Sequence, residues 1–112
     1  MTDDTFLEAL TALELTLADN DERTRLIRAR MAQLRRLRSQ GTPYAEIVSI
    51  SDGPLLVQLL TECSAALDVS GASVRRAEAL ALYAEGLTMD QIAEHFGVTR
   101  QRVSALLRKA RE

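Results

Sequence analysis

The side chains best suited to chemistry in this 112-residue chain are gathered between Thr99 and Arg111: Arg100, Gln101, Arg102, Ser104, Arg108 and Lys109. A guanidinium is a fork of N–H donors that fits guanine O6 and N7. A side-chain amide fits adenine N6 and N7, and an ammonium is a point charge for phosphate. The chemistry on offer is hydrogen bonding to duplex DNA rather than the making of bonds. His95 is the single histidine and Cys63 the single cysteine. There is no Ser-His-Asp set, no metal-spaced Cys/His cluster and no phosphate-cradling glycine loop. His95 reads as a satisfied or solvent-facing helix residue, and Cys63 as a small core hydrophobe. We therefore expect no enzyme activity, no cofactor and no metal.

Those donors need a helix whose other side is held. Val103, Leu106, Leu107 and Ala110 repeat at helical spacing and are expected to face inward. The 3.6-residue period then turns Arg100, Gln101, Ser104, Ala105 and Arg108 outward. A preceding short helix is marked by a capping box, Thr88 with Gln91. Ala93 is small where two helices approach closely, and Gly97 supplies a positive φ at the turn. Val98 is expected to plug the corner, with Thr99 capping the last helix. In this order the signals specify a helix-turn-helix. Arg102, Arg108, Lys109 and Arg111 are assigned mostly to phosphates. The free N–H groups near Thr88 and Thr99 are assigned to phosphates as well.

The run from Gly97 to Leu106 (GVTRQRVSAL) resembles the DNA-binding C-terminal helix-turn-helix of bacterial sigma factors and the related tri-helical domains of small regulators. The resemblance spans roughly residues 74–111, including Tyr83 and Gly86. It implies that Thr99, Arg100, Gln101, Arg102 and Ser104 touch promoter DNA. Sigma factors usually carry an acid where Gln101 stands, and larger polar residues at Ser104 and Ala105, so the base preference should differ. Nothing upstream resembles a polymerase-core-binding or −10-reading region. The likeness is to the DNA-binding unit, not to a whole sigma factor.

The rest of the chain reads as helix. Leu and Ala dominate, aromatics are 4%, and Gly and Pro number five and two, a mixture that loses little on entering helices. The predicted fold is all-α, an N-terminal helical hairpin followed by a C-terminal tri-helical helix-turn-helix. The net charge of −2 conceals strong asymmetry. Residues 1–22 carry seven acids and no base, and residues 23–38 carry seven arginines and no acid. Local fields decide where a polyanion lands. No apolar run approaches the ~18 residues that span a bilayer, and the acidic N-terminus has the wrong sign for a targeting segment. We expect a cytoplasmic, nucleoid-associated protein of bacterial type.

In detail, Thr5 and Glu8 form a capping box, with Phe6, Leu10, Leu13 and Leu17 on one stripe. Asp19-Asn20-Asp21 is expected to end that helix and cap a second, Asp21 to Ser39, with Ile27, Met31, Leu34 and Arg38 on its inner line and Gly41 at its stop. The two would form an antiparallel hairpin with opposite charges facing; alternatively the seven arginines touch DNA phosphates. Thr42-Pro43 and Asp52-Gly53-Pro54 open further helices, the second ending near Asp68. Ser70-Gly71-Ala72-Ser73 reads as a linker before a helix from about Val74 to Glu85. Two regions are thus expected, a packing and dimerisation region over 1–70 and a DNA-binding domain over 71–112.

Residues 37–61 echo the C-terminal unit as a degenerate copy. Leu37, Gly41, Tyr44 and Ile47 align with Leu82, Gly86, Met89 and Ile92 at an offset of 45. After a one-residue deletion, Val57 and Leu60 align with Val103 and Leu106. The base-facing positions become Pro54, Leu55, Gln58 and Leu59, an apolar set fitted for burial. Because one such unit covers few base pairs, a homodimer through the N-terminal helices is expected, bound to double-stranded DNA. Residues 44–67 supply an apolar surface for a protein partner. The rival reading is an interaction module, an adaptor or anti-regulator whose helix-turn-helix docks on another protein. Such a helix would expose Leu, Phe or Met where this one shows Arg, Gln and Ser.

Overall fold

The computed structural model describes residues 4–50 and 55–110. Among them the chain forms five helices and no strand: α1 (Thr5–Ser39), α2 (Tyr44–Ile50), α3 (Leu56–Ala84), α4 (Met89–Phe96) and α5 (Arg100–Ala110). The all-α expectation holds. Asp52-Gly53-Pro54 lies outside the described residues, as does the side chain of Ala110.

Two expected breaks are absent. α1 runs unbroken through Asp19-Asn20-Asp21 for 35 residues, so the expected hairpin turn is corrected to continuous helix. Asn breaks a helix when its side chain competes for its own backbone. Asn20 is instead buried, donating to the Cys63 carbonyl (3.1 Å) and accepting from Arg23 Nη1 (2.8 Å). Asp19 and Asp21 point to solvent, where Asp costs at most about 0.7 kcal/mol of helix propensity. α1 pairs with α3, not with itself, and the expected facing of acidic and basic helices does not occur. Arg23 lies 4.0 Å from Glu62, and Arg25 pairs with Glu22 on its own helix.

The linker at Ser70-Gly71-Ala72-Ser73 is likewise helix, inside α3. Ser70 is buried. Gly71 costs about 1 kcal/mol relative to Ala in a helix interior, a penalty that burial on both sides of it outweighs: Leu59 before and Ala77 and Ala79 after are core residues.

The chain divides into two units, one of Met1–Glu14 with Val69–Glu112, the other Leu15–Asp68. In the second, α1 and α3 run antiparallel, as the pairs Asn20–Cys63 and Arg23–Glu62 require. Ile47 and Leu59 are its fully buried large side chains. The covered line of α1 in this unit passes through Thr16, Asn20, Arg23, Leu26, Ile27, Arg30, Gln33, Leu34 and Leu37, with Asn20 buried and the others half-buried. It corrects the expected stripes, since Leu17, Met31 and Arg38 are exposed. Arg38 instead lies over the Tyr44 ring, 4.2 Å from its centroid. The N-terminal cap also moves one residue: Asp4 Oδ1, not Thr5, accepts from the backbone N–H of the third helical residue, Leu7 (3.1 Å).

α1, α3 and α4 stop in the same way. Thr42 N–H reaches Leu37 O and Gly41 N–H reaches Arg38 O. Leu87 reaches Leu82 and Gly86 reaches Tyr83, and Val98 reaches Ala93 and Gly97 reaches Glu94. This paired pattern needs a left-handed residue at its centre, and Gly41, Gly86 and Gly97 have φ of 83°, 105° and 67°. The first two stops match bond for bond at the offset of 45. The likeness fades beyond α2: Val57 and Leu60, expected inward, are exposed, while Leu59, expected outward, is buried.

A candidate nucleic-acid interface on α5

The site is built by a core that fixes one side of α5. Ala79 of α3, Ile92 and Ala93 of α4, and Val103, Leu106 and Leu107 of α5 form one buried cluster. Leu80, Leu82, Leu87, Met89 and Phe96 pack around it. Ile92 and Val103 are wholly inaccessible. Each such aliphatic side chain contributes about 1.5–3 kcal/mol on leaving water, enough together to hold a short helix that could not persist alone. Val98 is 38% exposed, so it rims the corner and does not plug it.

Both short helices are capped as their sequences dictate. Thr88 Oγ1 accepts from Gln91 N–H (3.2 Å), and Gln91 Oε1 accepts from Thr88 N–H (2.9 Å). Thr99 Oγ1 accepts from Arg102 N–H (3.1 Å). Thr88 and Thr99 are exposed, with their side-chain oxygens engaged on their own helix starts.

With Val103, Leu106 and Leu107 buried, the outward half of α5 carries two stripes. Arg100, Gln101, Ser104 and Arg108 form one, and Arg102, Ala105 and Lys109 the other. Arg100, Gln101, Arg102, Arg108 and Lys109 are exposed, and Ser104 is half-buried. All the α5 residues singled out from the sequence therefore share one helix, with Thr99 at its head and Thr88 one helix earlier. Among the described residues no carboxylate stands within 4.0 Å of Arg102, Arg108 or Lys109, so none of them is held in an ion pair.

One residue escaped the sequence reading. Asp90, in the first turn of α4, lies 3.8 Å from Arg100 Nη1, and both side chains are well exposed (71% and 64%). The signal available was an acid two residues after the Thr88 cap, which reads there as ordinary dipole complementarity. His95 is exposed beside Glu94 and Gln91 around an open cavity with Leu87. Glu94 is the one other titratable side chain lining that cavity among the described residues, and it is exposed as well.

What this arrangement can do is present fork-shaped and amide donors on a rigid, positively charged ridge. No helix of the described chain is long and apolar enough to cross a membrane. Residues 70–112 match the family model of the homeodomain-like domain. No curated protein and no solved structure gives a significant match to the chain. The matched span takes in the second part of α3, α4 and α5, the three helices that share the core described above. The capped helices α4 and α5 on their shared core form a helix-turn-helix, and the similarity of this part of the chain to the homeodomain-like domain agrees with that arrangement.

Proposed function

We propose that the chain is a sequence-specific transcriptional regulator that lays α5 in the major groove of double-stranded DNA. Arg100, Gln101 and Ser104 read base edges. Arg102, Arg108 and Lys109, with the helix starts at Thr88 and Thr99, hold phosphates. One observation carries the reading. The buried side of α5 is wholly aliphatic, and its open side is cationic and amide-bearing with no exposed large hydrophobe. That same observation disfavours docking of α5 on another protein. The likeness of Gly97–Leu106 to the promoter-reading end of sigma factors supports a role at promoters, in the cytoplasm on the nucleoid.

Residues 1–70 serve in this proposal as the packing and dimerisation region, with 37–61 as a degenerate helix-turn-helix that no longer reads DNA. Exposed Val48, Ile50, Val57, Leu60 and Leu67 support it, because a monomer gains nothing from so many aliphatic groups in water. A dimer would set two recognition helices about 34 Å apart on a near-palindrome.

Selection of bound sites from random duplex DNA tests the reading, and half-site spacing reports the symmetry. With the selected site in hand, Arg100→Ala should cost roughly 1–3 kcal/mol and relax base choice at one position. Lys109→Ala should weaken all sequences alike. Equal and uniform losses from both substitutions would overturn the division between readers and clamps.

A further inference from the structure

The second stripe of α5 does not face open solvent alone. Its Arg102, Ala105 and Lys109, with Leu106 of the core and Arg108 of the first stripe beside them, meet Ala72 and Arg76 of α3 around an open cavity of about 480 Å³. Its floor is apolar and its walls carry four cations and no acid. None of Arg76, Arg102, Arg108 or Lys109 has a carboxylate within 4.0 Å among the described residues. Arg76 is half-buried, and its Nη2 leans on Ser73 Oγ at 3.4 Å, one helical turn back. A guanidinium tethered in this way is directed, not sweeping freely.

Glu8 lines an adjoining cavity with Arg76 and Lys109 but pairs with neither within 4.0 Å, so four clustered cations still repel one another and lower stability. The arrangement is repaid when a polyanion enters, because each phosphate neutralised also releases condensed counterions. We infer that this cavity is a seat for the phosphodiester backbone of the duplex read by α5, and that Arg76, on a helix outside the two-helix motif, is one of its phosphate ligands. The inference rests on the proposed DNA-reading role and adds to it a contact contributed by α3. It also gives the two stripes of α5 separate tasks: the Arg100–Gln101–Ser104 stripe faces bases, and the Arg102–Lys109 stripe closes with Arg76 on a strand.

The test uses the full chain with Arg76→Ala, Arg76→Lys and Arg75→Ala, each checked for an unchanged thermal melt. Affinity is measured against the selected site and an unrelated duplex over a salt series. Arg76→Ala should weaken both duplexes by the same factor, roughly three- to tenfold, and reduce the slope of log affinity against log salt by about 0.9. Arg76→Lys should restore the slope, and Arg75→Ala should change neither quantity as much. Base preference from repeated selection should stay as in the parent. If the parent binds duplexes and Arg76→Ala leaves affinity and slope intact, the seat is wrong and the DNA reading stands. If the parent binds no duplex, both fall. Binding of inorganic phosphate lost in Arg76→Ala, with duplex binding untouched, would show a free-anion site and overturn the inference.

Discussion

At the scale of single residues, Arg100 is caught between two partners. Asp90 lies close enough for an ion pair but stays exposed, so the pair contributes well under 1 kcal/mol to stability. Its effect on recognition is larger than its effect on folding. In the proposed complex, a guanidinium that can rest on Asp90 would not settle on any passing phosphate, yet would surrender Asp90 for the two acceptors of a guanine edge. The carboxylate also adds a repulsive charge beside the proposed DNA face, which penalises sequences that offer Arg100 nothing better. Asp90→Ala should therefore tighten binding to unrelated duplexes several-fold while changing the selected site less, so the ratio between them falls. Competition binding at fixed salt measures that ratio. An unchanged ratio would show Asp90 to be a spectator, and a rising one would reverse its assigned role.

At the scale of elements, what was legible in the sequence was whatever is decided within four residues. The Thr88 box and the glycine turns at Gly41 and Gly97 rest on such near neighbours, and the inward positions Ile92 on α4 and Val103 and Leu106 on α5 follow from each helix's own period; the structure reproduces them. What was not legible depends on residues some forty positions away. Asn20 looks like a cap until Cys63 offers its carbonyl, and Arg23 and Arg30 do not look like seam residues until α3 is beside them. Ser70-Gly71-Ala72-Ser73 has the composition of a linker, and only burial of Ser70 and its flanks keeps it helical. Asp90 was hidden at shorter range, an ordinary first-turn acid until α5 folds back and brings Arg100, ten residues on, beside it. The continuity of α3 can be checked directly. A Cβ at Gly71 would meet only the flexible guanidinium of Arg75, at 3.4 Å. Gly71→Ala should then raise stability by about 0.4–1 kcal/mol, by narrowing the unfolded ensemble and filling a helical site. Denaturant unfolding reads it. A linker at that position would show no gain.

At the scale of the whole molecule, the two units treat similar helix–turn–helix starts differently. In the C-terminal unit Ala93 is buried under α5, whereas Val48, its counterpart at the offset of 45, is 58% exposed. Further along, Val57, Leu60 and Leu67 lie at i, i+3 and i+10 on α3, one heptad-like line, all exposed. A line with that spacing is what two antiparallel or parallel copies of a helix bury between them. The proposed dimer therefore predicts a specific vulnerability. Val57→Glu with Leu60→Glu would place four carboxylates in the seam, where desolvation opposes each one. Both positions are open to solvent in the isolated chain, so the fold itself should survive, with helix content and the core around Ile92 and Val103 unchanged. Sedimentation should move from dimer to monomer. On a near-palindromic site the double variant should bind half-sites independently and more weakly, its apparent affinity set by one recognition helix at a time. A variant that still sediments as a dimer would remove the α3 line from the interface.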